Sequence, residues 1–370
     1  MSELISINPE NGSLVGTYPE HTSEEINKII SDVNSSFNYW KKIELKERCQ
    51  YFRHLSIALQ SRKDEFARIM ALEMGKPISQ GKAEIDKSAW VCDYYADNAS
   101  DFLSIKEVKT DASESYITFQ PLGAVLAIMP WNFPFWQVFR FAAPAMIAGN
   151  VSILKHSSNV QGCADAIEGL FLEASFPENV FRNLTISSKK VDEVIKNPKV
   201  KAITLTGSTP AGKAVAKKAG SVLKKTVLEL GGSDPYLILK DADLDKASNA
   251  CLKGRLLNTG QSCIAAKRFI VEESVKSDFE KMVVDKIKKE VIGDPFDSET
   301  TIGPMVSIDA RNELIRQVEA SINAGARLLY KSLIPSVKNS AYHPVIVLTD
   351  VLPGMPAFDE ELFGPVASII

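Results

Sequence analysis

Apolar residues between positions 22 and 102 recur at the three-and-four spacing of helices. TSEEINKIISDVNSSFNYW opens with Thr22 or Ser23 as N-cap, carries acids in its first turn, and lines up Ile26, Ile29, Ile30 and Val33 on one face. ELKERCQYFRHLSIALQSR repeats the pattern. KDEFARIMALEMGKP predicts a third helix stopped by Gly75 and Pro77, and ISQGKAEIDKSAWVCDYYADNAS a fourth. The period then changes. VKTDASESYITFQPLG alternates between turn formers and predicts a β-hairpin over 109–121.

From residue 122 short apolar runs alternate with helical segments. GAVLAIMP, VSILK, KAITLTGS and KKTVLELGG read as strands, separated by helices at FWQVFRFAAPAMIAGN, NVQGCADAIEGLFLEASFP and TPAGKAVAKKAG. After 241 the alternation resumes, with strands at KRFIVE and HPVIVL and helices at LDKASNACLKGRLLN, KSDFEKMVVDKIKKE and IDARNELIRQVEASINAGA. Such alternation predicts an α/β protein built from βαβ units on mostly parallel sheets. With 370 residues, two domains are expected: 1–108 with 122–230 as a dinucleotide-type domain, and 231–370 as a second α/β domain. The sequence stops at GPVASII, inside a strand-like run, so a fragment or a missing tail is the expectation.

Composition narrows the class. A hydrophobic share of 45% with 24% charged residues describes an ordinary globular chain, and a net charge of −3 gives no reason to expect nucleic acid or an anionic membrane as partner. No apolar run reaches the roughly 18 residues that span a bilayer. MSELISINPENG lacks a basic n-region and an apolar h-region, so a cytoplasmic location is expected. Cys49, Cys92, Cys163, Cys251 and Cys263 stand apart with no CxxC, which suits reduced thiols. His21, His54, His156 and His343 form no ligand pair, so no metal is expected.

Five segments carry candidate chemistry. In NTGQSCIAAKR, Cys263 follows a turn downstream of a helix. It is either a buried packing thiol or a nucleophile presented by that turn. Glu229 ends a strand before Gly231 and Gly232, either as a solvated rim charge or as a general base. PWNFP places Asn132 in a rigid turn, where its amide bonds its own backbone or waits for an oxyanion. GSTPAG, with Gly207 and Ser208, lies at a helix start where free N–H groups favour phosphate, though it lacks the GxGxxG spacing. Lys155 stands at a strand's C-terminal end, where α/β folds place ligands.

In chain order, PWNFP (130–134), GSTPAG (207–212), ELGG (229–232), GQSC (260–263) and EELFGPV (360–366) resemble the aldehyde dehydrogenase superfamily, from about residue 5 to the end. ELGGSDP, GQSCIAAKR, LKHSSN and the short N-terminus resemble its NAD(P)-dependent succinate-semialdehyde dehydrogenase branch. The resemblance implies a Rossmann-like cofactor domain, a catalytic domain and a hairpin that joins a homodimer or homotetramer. It implies Cys263 as nucleophile, Glu229 as base and Asn132 as oxyanion donor with the Cys263 N–H. Trp131, Lys155, Ser158, Gly207, Ser208, Leu230, Glu361 and Phe363 then hold the cofactor. It also implies a C-terminal tail that completes the catalytic domain.

NAD-specific relatives commonly carry a glutamate three positions after the strand-end lysine. Here Ser158 stands there, so NADP is expected to be accepted and preferred over NAD. Arg140 matches an arginine that binds the carboxylate tail of succinate semialdehyde. A second arginine of that branch is replaced by Leu257, which leaves other small aldehydes such as glyceraldehyde or lactaldehyde open. A non-catalytic nucleotide-binding member is the alternative from another class.

Overall fold

The computed structural model describes residues 2–370, and the chain divides into two compact units. The first holds residues 2–6, 16–66 and 82–229. The second holds 7–15, 67–81 and 230–370. The sequence reading assigns 7–15 and 67–81 to the first domain, but their contacts group them with the second unit. Boundaries drawn from chain order miss such excursions, because packing follows space rather than sequence.

The first unit is built on a five-stranded sheet, in the order Phe181–Asn183, Val151–His156, Ala124–Met129, Val200–Gly207, Lys225–Leu230. The first four of these strands run parallel. All of Val151–His156 and all but Ile128 of Ala124–Met129 are buried, as expected of strands covered on both faces. The chain enters at the central strand Ala124–Met129, steps outward twice, then returns to its other side with Val200–Gly207. That reversal opens a crevice at the C-terminal ends of these two strands, where ligands of doubly wound folds bind. Helices Trp136–Ile147, Gln161–Glu173 and Thr209–Gly220 connect the strands. The N-terminal helix Ser23–Trp40 starts on Thr22 with a full capping box. Thr22 Oγ1 accepts from Glu25 N–H, and the Glu25 carboxylate accepts from Thr22 N–H.

The second unit holds a five-stranded sheet in the order Pro235–Ile238, Arg268–Val271, Val366–Ile369, Ile346–Thr349, Arg327–Lys331. Only the last strand is antiparallel to its neighbour. Alternate residues point to opposite faces. Val347, Ala367 and Ile369 join one apolar cluster with Phe269 and Phe279, whereas Ile346, Leu348 and Val366 join another with Leu314 and Leu362.

One expectation needs correction, and two strands at the N-terminus lie where none was read. The hairpin pairs Lys106–Glu107 with Tyr116–Ile117, so it begins before residue 109 and has only two residues per strand. The N-terminal stretch also contains strands, Glu3–Ile7 and Leu14–Pro19. Their pattern misleads because Ile5 and Ile7 are exposed while polar Ser6 is buried. The strands Phe181–Asn183 and Arg327–Lys331 were likewise not legible, being short or exposed at an edge. Among the described residues no helix is long and apolar enough to cross a membrane. No group of three or more His, Cys, Asp or Glu among them could hold a metal ion.

Candidate active site

In the first unit the PWNFP turn leaves the central strand and leads into the helix Trp136–Ile147. Two buried groups hold it there. The Glu84 carboxylate accepts from the backbone N–H groups of Phe135 and Trp136 at 2.9 and 3.0 Å. These are orphan donors of a helix start, and a carboxylate suits the positive end of the dipole. His156 Nδ1 accepts from Ser157 N–H at 2.9 Å, so the proton sits on Nε2, which faces the Pro134 carbonyl at 3.0 Å. Burial pushes the His156 pKa down to about 4, so the ring is neutral near pH 7. Asn132, on this turn just past the end of the central strand, is buried. Trp131 beside it is half-buried.

Lys155 is buried one residue before His156. Burial lowers its pKa to about 8 against the opposing pull of Glu20. Ser158, just beyond, is half-buried. Across the crevice Gly207 ends its strand, and exposed Ser208 caps the helix Thr209–Gly220, its Oγ accepting from Ala211 N–H at 3.4 Å. The sheet therefore brings Asn132, Lys155, Ser158, Gly207 and Ser208 to one edge. Arg140 and Glu229 meet on the same unit at 3.9 Å, and Arg140 also reaches Thr206 Oγ1 at 3.4 Å. They line a cleft of about 610 Å³ whose walls include Met129, Phe141, Pro144 and Val227.

In the second unit the segment before Cys263 is strained. Asn258, Thr259 and Gly260 all take left-handed backbone angles, with φ of 57°, 56° and 73°. Non-glycine residues in this region cost on the order of 1–3 kcal/mol each, so the surroundings must hold them. They do so with polar groups on neighbouring segments. Gln80 Oε1 accepts from Asn258 N–H at 2.7 Å, and Thr259 Oγ1 accepts from Gly303 N–H at 3.1 Å. Gln261 Oε1 accepts from Val306 N–H at 2.9 Å. The fully buried Arg255 donates through Nη2 to the carbonyls of Gly260, Leu362 and Gly364, joining the cysteine loop to the EELFGPV segment. Gly260 has no substitute here, since a Cβ would approach the Gly364 carbonyl oxygen to 2.3 Å.

Cys263 on this loop differs from the other cysteines. It is half-buried, whereas Cys49, Cys92, Cys163 and Cys251 are buried. Burial raises the pKa of Cys49, Cys92 and Cys251, the last to about 12. Packing claims four cysteines and leaves one on a braced turn. Four residues on, buried Lys267 donates to the Cys263 carbonyl at 2.6 Å and pairs with the Glu361 carboxylate at 2.7 Å. Glu361 in turn lies against Gly231, where a Cβ would come within 1.9 Å of its Oε2. Leu230 and Phe363, flanking these residues, are half-buried.

The profile of the Aldehyde dehydrogenase family matches residues 2–370. The chain belongs to this family. Among related aldehyde dehydrogenases, the "Probable succinate-semialdehyde dehydrogenase" (NADP+) of Synechocystis sp. is 46% identical over 98% of this chain and 80% of its own length. The Escherichia coli succinate semialdehyde dehydrogenase Sad, named for NAD(P)+, is 43% identical over 100% of this chain and 79% of its own. A crystal structure of succinic semialdehyde dehydrogenase from Streptococcus pyogenes in complex with NADP+ superposes with a TM-score of 0.95 at 34% identity, covering 99% of this chain and 80% of that one. The α/β architecture expected from the sequence is that of these aldehyde dehydrogenases. The long-range contacts by which Glu84, Arg255 and Lys267 brace the turn and the loop, to Phe135, Gly364 and Glu361, leave no spacing in the sequence to read.

Proposed function

We propose that this aldehyde dehydrogenase oxidises succinate semialdehyde to succinate, with NADP preferred over NAD. The observation that carries the catalytic part is the single half-exposed thiol on a strained, buttressed loop. The names of the relatives and the Arg140 guanidinium in the cleft support the substrate.

In this reading the Cys263 thiolate adds to the aldehyde carbon to give a thiohemiacetal. The Asn132 amide and the Cys263 backbone N–H steady the oxyanion, a contribution worth roughly 10²–10³ in rate per donor. Once the carbon is at the thioester level, Glu229 takes a proton from water, which attacks the carbonyl and releases the acid and the free thiol. Arg140 holds the far carboxylate of the substrate.

The chain suits a dinucleotide. Bare Gly231 leaves room for the Glu361 carboxylate, the helix start at Ser208 is exposed, and Lys155 offers a buried cation. Glu361 and Lys155 would hold riboses, Ser208 the pyrophosphate, and Trp131, Gly207, Leu230 and Phe363 the walls. The bound nucleotide supplies the hydride acceptor. Ser158 in place of a carboxylate leaves a 2′-phosphate unopposed.

A homo-oligomer belongs to the same reading, since Ile105, Tyr116, Ile117, Phe119 and Leu122 around the hairpin are exposed apolar residues. Initial rates over a panel of aldehydes, with and without a distal carboxylate and with NADP or NAD, test the function. Equal kcat/KM for succinate semialdehyde and lactaldehyde would overturn the substrate assignment.

A further inference from the structure

Lys267 is 1% exposed in its side chain, an uncommon place for an ammonium. Removing a charge from water is costly, and well-packed apolar side chains often do as well or better for stability alone. The bonds Lys267 makes therefore matter more than its packing. They go to two segments of the reaction machinery, the Cys263 carbonyl at 2.6 Å and Glu361 Oε1 at 2.7 Å. The first is a charge-assisted hydrogen bond and the second a close ion pair. Because Oε1 is taken, the other carboxylate oxygen of Glu361 is turned to the bare Cα of Gly231. One ammonium thus ties GQSC to EELFGPV, whose Glu361 lies against the bare Gly231 of ELGG.

We propose that Lys267 is a positioning residue that couples the nucleophile's loop to the carboxylate that holds the cofactor, an inference that rests on the dehydrogenase reading above. Glu361 has three side-chain torsions, and Lys267 orders them before the nucleotide arrives. The same ammonium anchors the backbone of Cys263. A displacement of Glu361 by nucleotide therefore reaches the thiol through a single side chain, over one ion pair and one hydrogen bond.

The test uses Lys267→Met, Glu361→Gln and the double variant, each checked for folding by its melting temperature. Two readouts are taken: NADP dissociation constants from protein fluorescence, and the rate of Cys263 alkylation by iodoacetamide with and without saturating NADP. In the native protein NADP should change the alkylation rate. Lys267→Met should weaken NADP about 3- to 10-fold, the effect of having to order one long side chain on binding. It should also abolish the NADP-dependent change in alkylation, and the double variant should bind no worse than Glu361→Gln alone.

Wild-type affinity together with an intact alkylation response in Lys267→Met, or additive losses in the double variant, would overturn the inference. So would a native thiol indifferent to NADP. If Lys267→Met does not fold, Glu361→Gln decides the matter, because a full alkylation response at saturating NADP in that variant defeats the coupling. Unchanged NADP affinity in Glu361→Gln would instead count against Glu361 as a cofactor residue.

Discussion

The Arg140 guanidinium stands 3.9 Å from the Glu229 carboxylate, so the proposed substrate anchor and the proposed base are partners before any substrate arrives. Both side chains are well exposed, and exposed pairs are worth at most about 1 kcal/mol. A substrate carboxylate can therefore take Arg140 from Glu229 at little cost, and the exchange frees the base.

Arg140→Gln should accordingly raise KM for succinate semialdehyde about 10- to 100-fold, the equivalent of one charge-assisted hydrogen bond. It should leave kcat/KM for an aldehyde without a distal carboxylate within a few-fold. Steady-state kinetics on the two substrates check this. Equal losses on both would remove Arg140 from substrate recognition.

Cys263 should be the first thiol alkylated by iodoacetamide, since the other four are buried and three carry raised pKa values. Peptide mapping after partial modification reads the order. Cys263→Ala should show no burst of reduced nucleotide, whereas Glu229→Gln should keep the burst and lose turnover. A burst in Cys263→Ala would end the covalent mechanism.

NADP affinity should depend on pH through Lys155. Its pKa of about 8 means that it is a cation below that pH and neutral above it. Binding of a 2′-phosphate should weaken as pH rises through 8, while NAD, which lacks that phosphate, should respond less. Lys155→Arg keeps its charge throughout and should flatten the curve. Dissociation constants at pH 7 and 9.5 give the comparison, and an identical trend for both nucleotides would argue against this role.

Acid should destabilise the fold through His156 and His343. Burial lowers both to about 4 from an ordinary value near 6.5. The unfolded chain therefore takes up protons first as pH falls. The stability these rings contribute is complete above about pH 6.5 and is lost on the way down to 4, by about 3 kcal/mol for each. Urea midpoints at pH 7 and 4.5 measure the loss. His156→Gln with His343→Gln should show a smaller difference than the native chain, and an unchanged difference would assign the acid sensitivity to other groups.

Periodicity alone revealed the helices from Ser23 to Phe102 and the buried strands Ala124–Met129 and Val151–His156, because burying one face of a helix or both faces of a strand demands a fixed spacing of apolar residues. The candidate residues stood out for a similar reason: Asn132, Glu229 and Cys263, which the proposed mechanism uses, sit in short segments whose turn formers announce themselves. The left-handed run at Asn258 and Thr259 was not legible, since neither residue is a glycine and the strain is borne by Gln80, Gly303 and Arg255. Glu84 meets Phe135 51 residues away, and Arg255 meets Gly364 at 109. Partners so distant in the chain leave no spacing to read. Local patterns encode which elements form, because their energetics are local. The braces that aim the reactive groups depend on contacts that exist only after the chain has closed on itself.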